Sequence, residues 1–146
     1  MFAFTHGCEV GIDLEQIRPM NDMKSVARRF FSPEETADLM SIPEEQREHA
    51  FFLCWTRKEA FIKASGEGLS FPLDCFRVTL EPGQPARLVH LGHSSEAASE
   101  WTIHDLETVP TYAAALAYRD TERPVLLLPV LDPGQLLSLE ESAARP

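Results

Sequence analysis

Gly66-Glu67-Gly68-Leu69-Ser70-Phe71-Pro72 is where the chain changes its hydrophobic period. Before this stretch apolar residues recur at helical spacing; after it they come in short runs of strand length. Reading backwards, Pro43-Glu44-Glu45 starts a helix that runs to about Ser65 and stops at Gly66. Its apolar side carries Phe51, Phe52, Trp55, Ile62 and part of Ala60. Ser32-Pro33-Glu34-Glu35 starts another helix, with Ser as N-cap, Pro at the first helical position and Glu three residues after the cap. That helix ends near Met40. Asn21–Phe31 reads as a third, with Met23, Val26, Ala27 and Phe30 on one side and Lys24, Arg28 and Arg29 on or near the other. Gly7–Leu14 reads as a strand. Reading forwards, Phe76–Leu80, Ala86–Leu91, Trp101–Leu106 and Tyr112–Tyr118 are strands separated by Pro-Gly, Gly-His-Ser-Ser and Val-Pro breaks. A strand, then helices, then a run of strands predicts an α+β fold, with an antiparallel β-sheet packed against helices. Residues 1–131 form the expected domain, and 132–146 a weakly ordered tail.

Composition narrows the partners. The 146 residues are 44% apolar and 25% charged, which describes one soluble domain able to bury roughly 70% of its unfolded surface without disulfides. A TIM barrel or a two-domain dehydrogenase does not fit in this length. With 23 acidic and 13 basic residues the net charge is −10, which argues against nucleic acid or an acidic membrane as partner. Cys8, Cys54 and Cys75 form no even framework and no C-x-x-C, so reduced intracellular thiols are expected. Met1–His6 lacks a basic n-region and a long apolar h-region, and no apolar run reaches membrane-spanning length. A cytoplasmic protein is expected.

Two local patterns could carry chemistry. In Gly11-Ile12-Asp13-Leu14-Glu15, strand alternation points Asp13 and Glu15 the same way. Paired carboxylates repel unless a cation lies between them, and Mg²⁺ takes one or two such groups together with water and substrate phosphate. Taken alone, the pentapeptide is most simply a solvated strand end. In Trp55-Thr56-Arg57-Lys58-Glu59-Ala60-Phe61-Ile62-Lys63, Glu59 and Lys63 stand one helical turn apart. That pair is most simply a surface ion pair worth a few tenths of a kcal/mol. Combined, a third carboxylate and an ammonium beside the first two would make a site for Mg²⁺ and a pyrophosphate. His6 with Cys8, or His90 with His93, falls short of a four-ligand zinc set. Cys54, between Leu53 and Trp55, reads as core. Arg18, Lys24, Arg28 and Arg29 are the densest basic group: a solvated helix face, or a docking surface for an acidic partner.

The two patterns, in this order and spacing, resemble the signature pair of the 4′-phosphopantetheinyl transferase superfamily. The flanking Arg28-Arg29-Phe30-Phe31-Ser32-Pro33-Glu34-Glu35 and Gly66-Glu67-Gly68-Leu69-Ser70-Phe71-Pro72-Leu73-Asp74 match as well. The wording is closer to the Sfp type than to the short holo-ACP-synthase type, closely over about Val10–Leu80 and loosely beyond. The resemblance implies that a serine of an apo acyl or peptidyl carrier protein attacks the β-phosphate of coenzyme A and receives phosphopantetheine. It implies that Asp13, Glu15 and Glu59 hold Mg²⁺ against the pyrophosphate, and that Lys63 contacts phosphate and helps a proton move. A nearby carboxylate or a water would be the base. Arg18, Lys24, Arg28 and Arg29 would face the carrier. Sfp-type enzymes are pseudo-dimers of two similar halves with coenzyme A in the cleft between them, and this chain resembles the C-terminal half. The basic residues that such enzymes use on the nucleotide belong to the other half. Three readings follow: an active transferase whose cleft is shared in a homo-oligomer, a non-catalytic half that binds Mg²⁺ and coenzyme A weakly, or an acidic α+β interaction domain outside the family.

Overall fold

The computed structural model describes residues 1–68, 71–92, 94–120 and 123–128. Strand β1 (Val10–Gln16) leads through a loop into helices α1 (Met23–Phe30), α2 (Pro33–Ser41) and α3 (Glu44–Ser65). A 3₁₀ turn at Leu73–Cys75 precedes β2 (Phe76–Val78) and β3 (Leu88–Leu91). A short helix α4 (Ser95–Ala98), β4 (Thr102–Asp105) and β5 (Tyr112–Tyr118) follow. The antiparallel strands fall into two sheets, β1-β5-β4 and β2-β3. The first strand therefore lies beside the last, in register from Val10↔Tyr118 to Gln16↔Tyr112.

The expected elements form, with shifted ends. The Ser32 capping box closes in both directions: Glu35 N–H donates to Ser32 Oγ at 3.1 Å, and Ser32 N–H to Glu35 Oε2 at 2.8 Å. Gly66 ends α3 in the left-handed region (φ 72°), its N–H donating to the Ile62 carbonyl at 3.2 Å. β1 starts later than Gly7 because that glycine turns the chain at φ 82°. β2 stops at Val78, where a register shift interrupts the ladder. The Gly-His-Ser-Ser break holds α4, capped by Ser94 Oγ accepting from Ala97 N–H at 3.1 Å. The tail expected from Asp132 lies outside the described residues, as does His93.

α3 is the axis of the fold. Its sequence reads as one apolar stripe, yet it is buried nearly all round between β1, β5, β4 and β2 on some sides and α1 and α2 on others. Phe51 stacks on Phe31 and Trp55 at centroid distances of 5.1 and 5.9 Å, and Phe30 meets Trp55 edge-on at 5.8 Å. These rings fasten α1 to α3. The sheet side uses small residues instead. Alternate β5 residues Ala113, Ala115 and Ala117 face the main core together with Ala60 and Ala64 of α3. On the other face of the sheet, Ala114, Leu116, Tyr118 and Leu106 form a smaller cluster with Val10, Ile12, Cys8 and Ala3.

β1 touches α3 most closely at Gly11. A Cβ there would stand 2.2 Å from the Ala60 carbonyl oxygen and 2.3 Å from the Ala64 amide nitrogen, both backbone atoms that cannot step aside. Gly11→Ala should therefore push strand and helix apart and cost about 3 kcal/mol or more. Urea unfolding followed by Trp fluorescence measures this. A loss under about 0.5 kcal/mol would show that the seam is not closely packed.

Candidate active site

The row of β1 that faces α3 reads Gly11, Asp13, Glu15, because side chains alternate along a strand. With Gly11 lying on the backbone of Ala60, Lys63 and Ala64, Asp13 is carried to the outer face of the same helix turn. There Lys63 Nζ meets Asp13 Oδ1 at 2.7 Å. Asp13 is only 8% exposed while the Lys63 side chain is 49% exposed. The second carboxylate oxygen, Asp13 Oδ2, is buried with no hydrogen-bond partner. Glu15 and Glu59 are half-buried.

Glu59 reports the company it keeps. Burial first, then the negative charge of Asp13, push its carboxyl above the usual range. Lys63 pulls it back down, and Glu15 adds a smaller push. One carboxyl thus senses both strand acids and the helical ammonium, so Asp13, Glu15, Glu59 and Lys63 belong to one electrostatic cluster. Among the described residues, no three His, Cys, Asp or Glu side chains form a ready metal cage. The expected set of Asp13, Glu15 and Glu59 is thus not gathered within holding distance of one ion. Mg²⁺ itself needs only one or two carboxylates and completes its shell with water and phosphate. The carboxylate oxygens, and above all the orphaned Asp13 Oδ2, fit a hard divalent cation.

Two cations of the same helix go elsewhere, a feature that sequence reasoning missed. Neighbouring helical residues point about 100° apart, so Lys58 faces away when Glu59 faces β1. Lys58 Nζ uses all three N–H bonds inside the core: on Glu35 Oε2 at 2.8 Å, the Leu73 carbonyl at 2.7 Å and the Phe76 carbonyl at 2.6 Å. Glu35 Oε1 accepts from Val78 N–H at 2.7 Å, so this buried pair is fully satisfied. Arg57, also buried, holds Asp105 through Nε and Nη2 at 2.8 and 2.5 Å, and donates from Nη1 to the Thr79 carbonyl. Of the three cations in the signature segment, only Lys63 is available to the site.

The basic group lies on the surface. Arg18 follows β1, and Lys24, Arg28 and Arg29 line α1; all four are exposed. The Arg29 guanidinium also covers the Phe30 ring at 5.1 Å.

The fold is an α+β unit in which two strand carboxylates face a helix that carries Glu59 and Lys63. The particular family is equally clear: residues 9–117 match the family model of the 4′-phosphopantetheinyl transferase superfamily, and the chain belongs to that superfamily. It is 39% identical over 115 residues to the 4′-phosphopantetheinyl transferase HetI of a Nostoc species, covering 79% of this chain and 45% of that one. It is 42% identical over 71 residues to Sfp of Bacillus subtilis, covering 49% of this chain and 31% of that one. The resemblance to the Sfp type is thereby borne out, and the chain spans less than half the length of these curated relatives. Among solved structures, holo-[acyl-carrier-protein] synthase of Thermotoga maritima superposes with a TM-score of 0.56 at 21% identity, covering 92% of this chain and 90% of that one. The likeness carries the fold, and the expected α+β architecture is borne out.

The charge cluster has a thermodynamic consequence. A carboxyl whose folded value lies above its unfolded value contributes stability below about pH 4.5 and loses it as pH rises through the folded value. Ionised Glu59 is then a burden on the metal-free fold near neutrality. Glu59→Gln should raise the melting temperature at pH 7.5 by roughly 2 °C, with the gain vanishing as pH falls below about 4.5. Calorimetry across that range measures it, and a pH-independent difference would show that Glu59 does not sense its neighbours' charge.

Proposed function

We propose that this chain transfers 4′-phosphopantetheine from coenzyme A to a serine of an apo acyl or peptidyl carrier protein. The observation that carries the reading is the Lys63–Asp13 pair at the β1–α3 seam, with Glu59 on the same helix feeling the charge of Asp13 and Glu15. Asp13, Glu15 and Glu59 are the residues that would hold Mg²⁺. When bound, that ion supplies charge neutralisation at the pyrophosphate.

The rest falls to the chain's own side chains. Lys63, half-exposed and flexible, supplies positive charge to a phosphate oxygen. Asp13, held by burial on a strand that cannot shift against α3, gives the site its fixed reference point. Transfer forms a bond from the serine oxygen to the β-phosphorus and breaks the bond to the adenylate oxygen, releasing adenosine 3′,5′-bisphosphate. The serine proton passes to a carboxylate of this set or to a water it orients. Arg18, Lys24, Arg28 and Arg29 form the proposed docking face for an acidic carrier.

An anionic chain needs help to hold anionic coenzyme A. We place that help in a second unit, either another copy or an N-terminal half. The exposed Met1, Phe2, Phe4, Leu14 and Leu126 support such a partner. Among the described residues no helix is long and apolar enough to cross a membrane. With Cys8, Cys54 and Cys75 all free, this supports the cytoplasm as the place of action.

Incubation with coenzyme A, Mg²⁺ and an apo carrier should add the phosphopantetheine mass to the carrier, and EDTA should prevent it. Asp13→Ala should abolish the increment, and Arg28→Glu with Arg29→Glu should raise the carrier KM on the order of tenfold while sparing that for coenzyme A. No increment at high protein concentration would favour the non-catalytic half. An increment that survives Asp13→Ala would refute the cation assignment.

A further inference from the structure

Asp13 is nine-tenths buried, so its charge needs a partner within contact distance. Lys63 supplies one, but an ammonium on Oδ1 leaves Oδ2 buried and unpartnered. The balance of the cluster is incomplete too: three carboxylates and one ammonium, all ionised, leave two negative charges over. A single dication would cancel both. An ion on Oδ2 would stand close to the Lys63 ammonium, 2.7 Å from Oδ1 of the same carboxylate, and the two cations would repel.

The seam decides which partner can give way. The backbones of β1 and α3 are locked at Gly11 against Ala60, Lys63 and Ala64, so Asp13 cannot withdraw. Lys63 can, because half its side chain lies in solvent on a flexible four-carbon stem.

We propose that Lys63 is the resident counterion of Asp13, standing on Oδ1 beside the free oxygen Oδ2 that a divalent cation takes, and that the incoming cation displaces it toward the phosphate side of the site. This rests on the reading of Asp13, Glu15 and Glu59 as a cation site. It adds an order of events that the reading itself does not contain. Metal binding releases the ammonium, so the residue that contacts phosphate becomes free only once the ion is in place. In the metal-free chain Lys63 instead keeps the acidic cluster from repelling itself.

The test needs neither coenzyme A nor a carrier. Mn²⁺ binding to the full chain, followed by calorimetry and by the EPR signal of free Mn²⁺, is compared for wild type, Lys63→Met, Lys63→Gln and Asp13→Asn. Removing the competitor should tighten Mn²⁺ binding on the order of tenfold in both Lys63 variants. Asp13→Asn should weaken it. Without metal, Lys63→Met should melt below wild type, and Mn²⁺ should raise its melting temperature by more than it raises that of wild type. If Lys63→Met fails to fold, Lys63→Gln carries the comparison, and so does the displacement of the Lys63 Cε resonance by Mg²⁺ in wild type. Equal or weaker Mn²⁺ binding in the Lys63 variants, with Asp13→Asn still impaired, would overturn the exchange and leave the cation site standing. If Asp13→Asn binds Mn²⁺ as wild type does, or if none of the proteins binds it, the cation site fails and the exchange fails with it.

Discussion

Everything about the site follows from one close approach, the bare backbone of Gly11 lying on the backbone of α3 at Ala60 and Ala64. A strand on a helix normally stands off by the depth of its side chains. Here glycine on one side and alanines on the other remove that depth. Two residues further along the same strand face, a short aspartate can then reach a lysine on the helix surface. With a larger residue at position 11, Asp13 and Glu59 would no longer share an environment. Gly11 acts as a spacer of zero thickness.

The helix must also be held in rotation, and that is the work of its buried cations. Lys58 and Arg57 point away from β1 and tie α3 to other elements, Lys58 to Glu35 and the start of β2, Arg57 to β4 and to Thr79 just past β2. Buried ion pairs seldom add much net stability over apolar residues, but losing one partner costs several kcal/mol. Such pairs suit a helix whose angular setting matters. The functional cluster shows the contrasting pattern: like charges gathered close, one carboxylate oxygen left without a partner, and a carboxyl pushed above its usual range. That local conflict is consistent with the proposed cation site.

Much of this was legible in the sequence, for identifiable reasons. The Ser32 capping box and the Gly66 stop are local chemistry, so they appear where the residues predict them. Both motifs were readable because they repeat short spacings that strand and helix geometry convert into shared faces. The pairing of β1 with β5 was not legible, since nothing local tells the first strand that its neighbour is the last. The burial of Arg57 and Lys58 was hidden by their charge, which in a sequence reads as surface. The four-residue α4 was hidden in what reads as a polar turn. Nor could spacing reveal that Lys63 sits on Asp13, because that contact depends on how deeply Gly11 lets the strand settle.

If the β1–α3 seam holds a divalent cation beside Lys63, as proposed, anomalous diffraction from crystals of this chain equilibrated with Mn²⁺ will show it. A manganese peak is expected within coordination distance of Asp13 Oδ2, on the side of Glu15 and Glu59, with Lys63 no longer bonded to Asp13. A Mn²⁺-saturated crystal with no peak there, and the Lys63–Asp13 pair intact, would contradict the proposal.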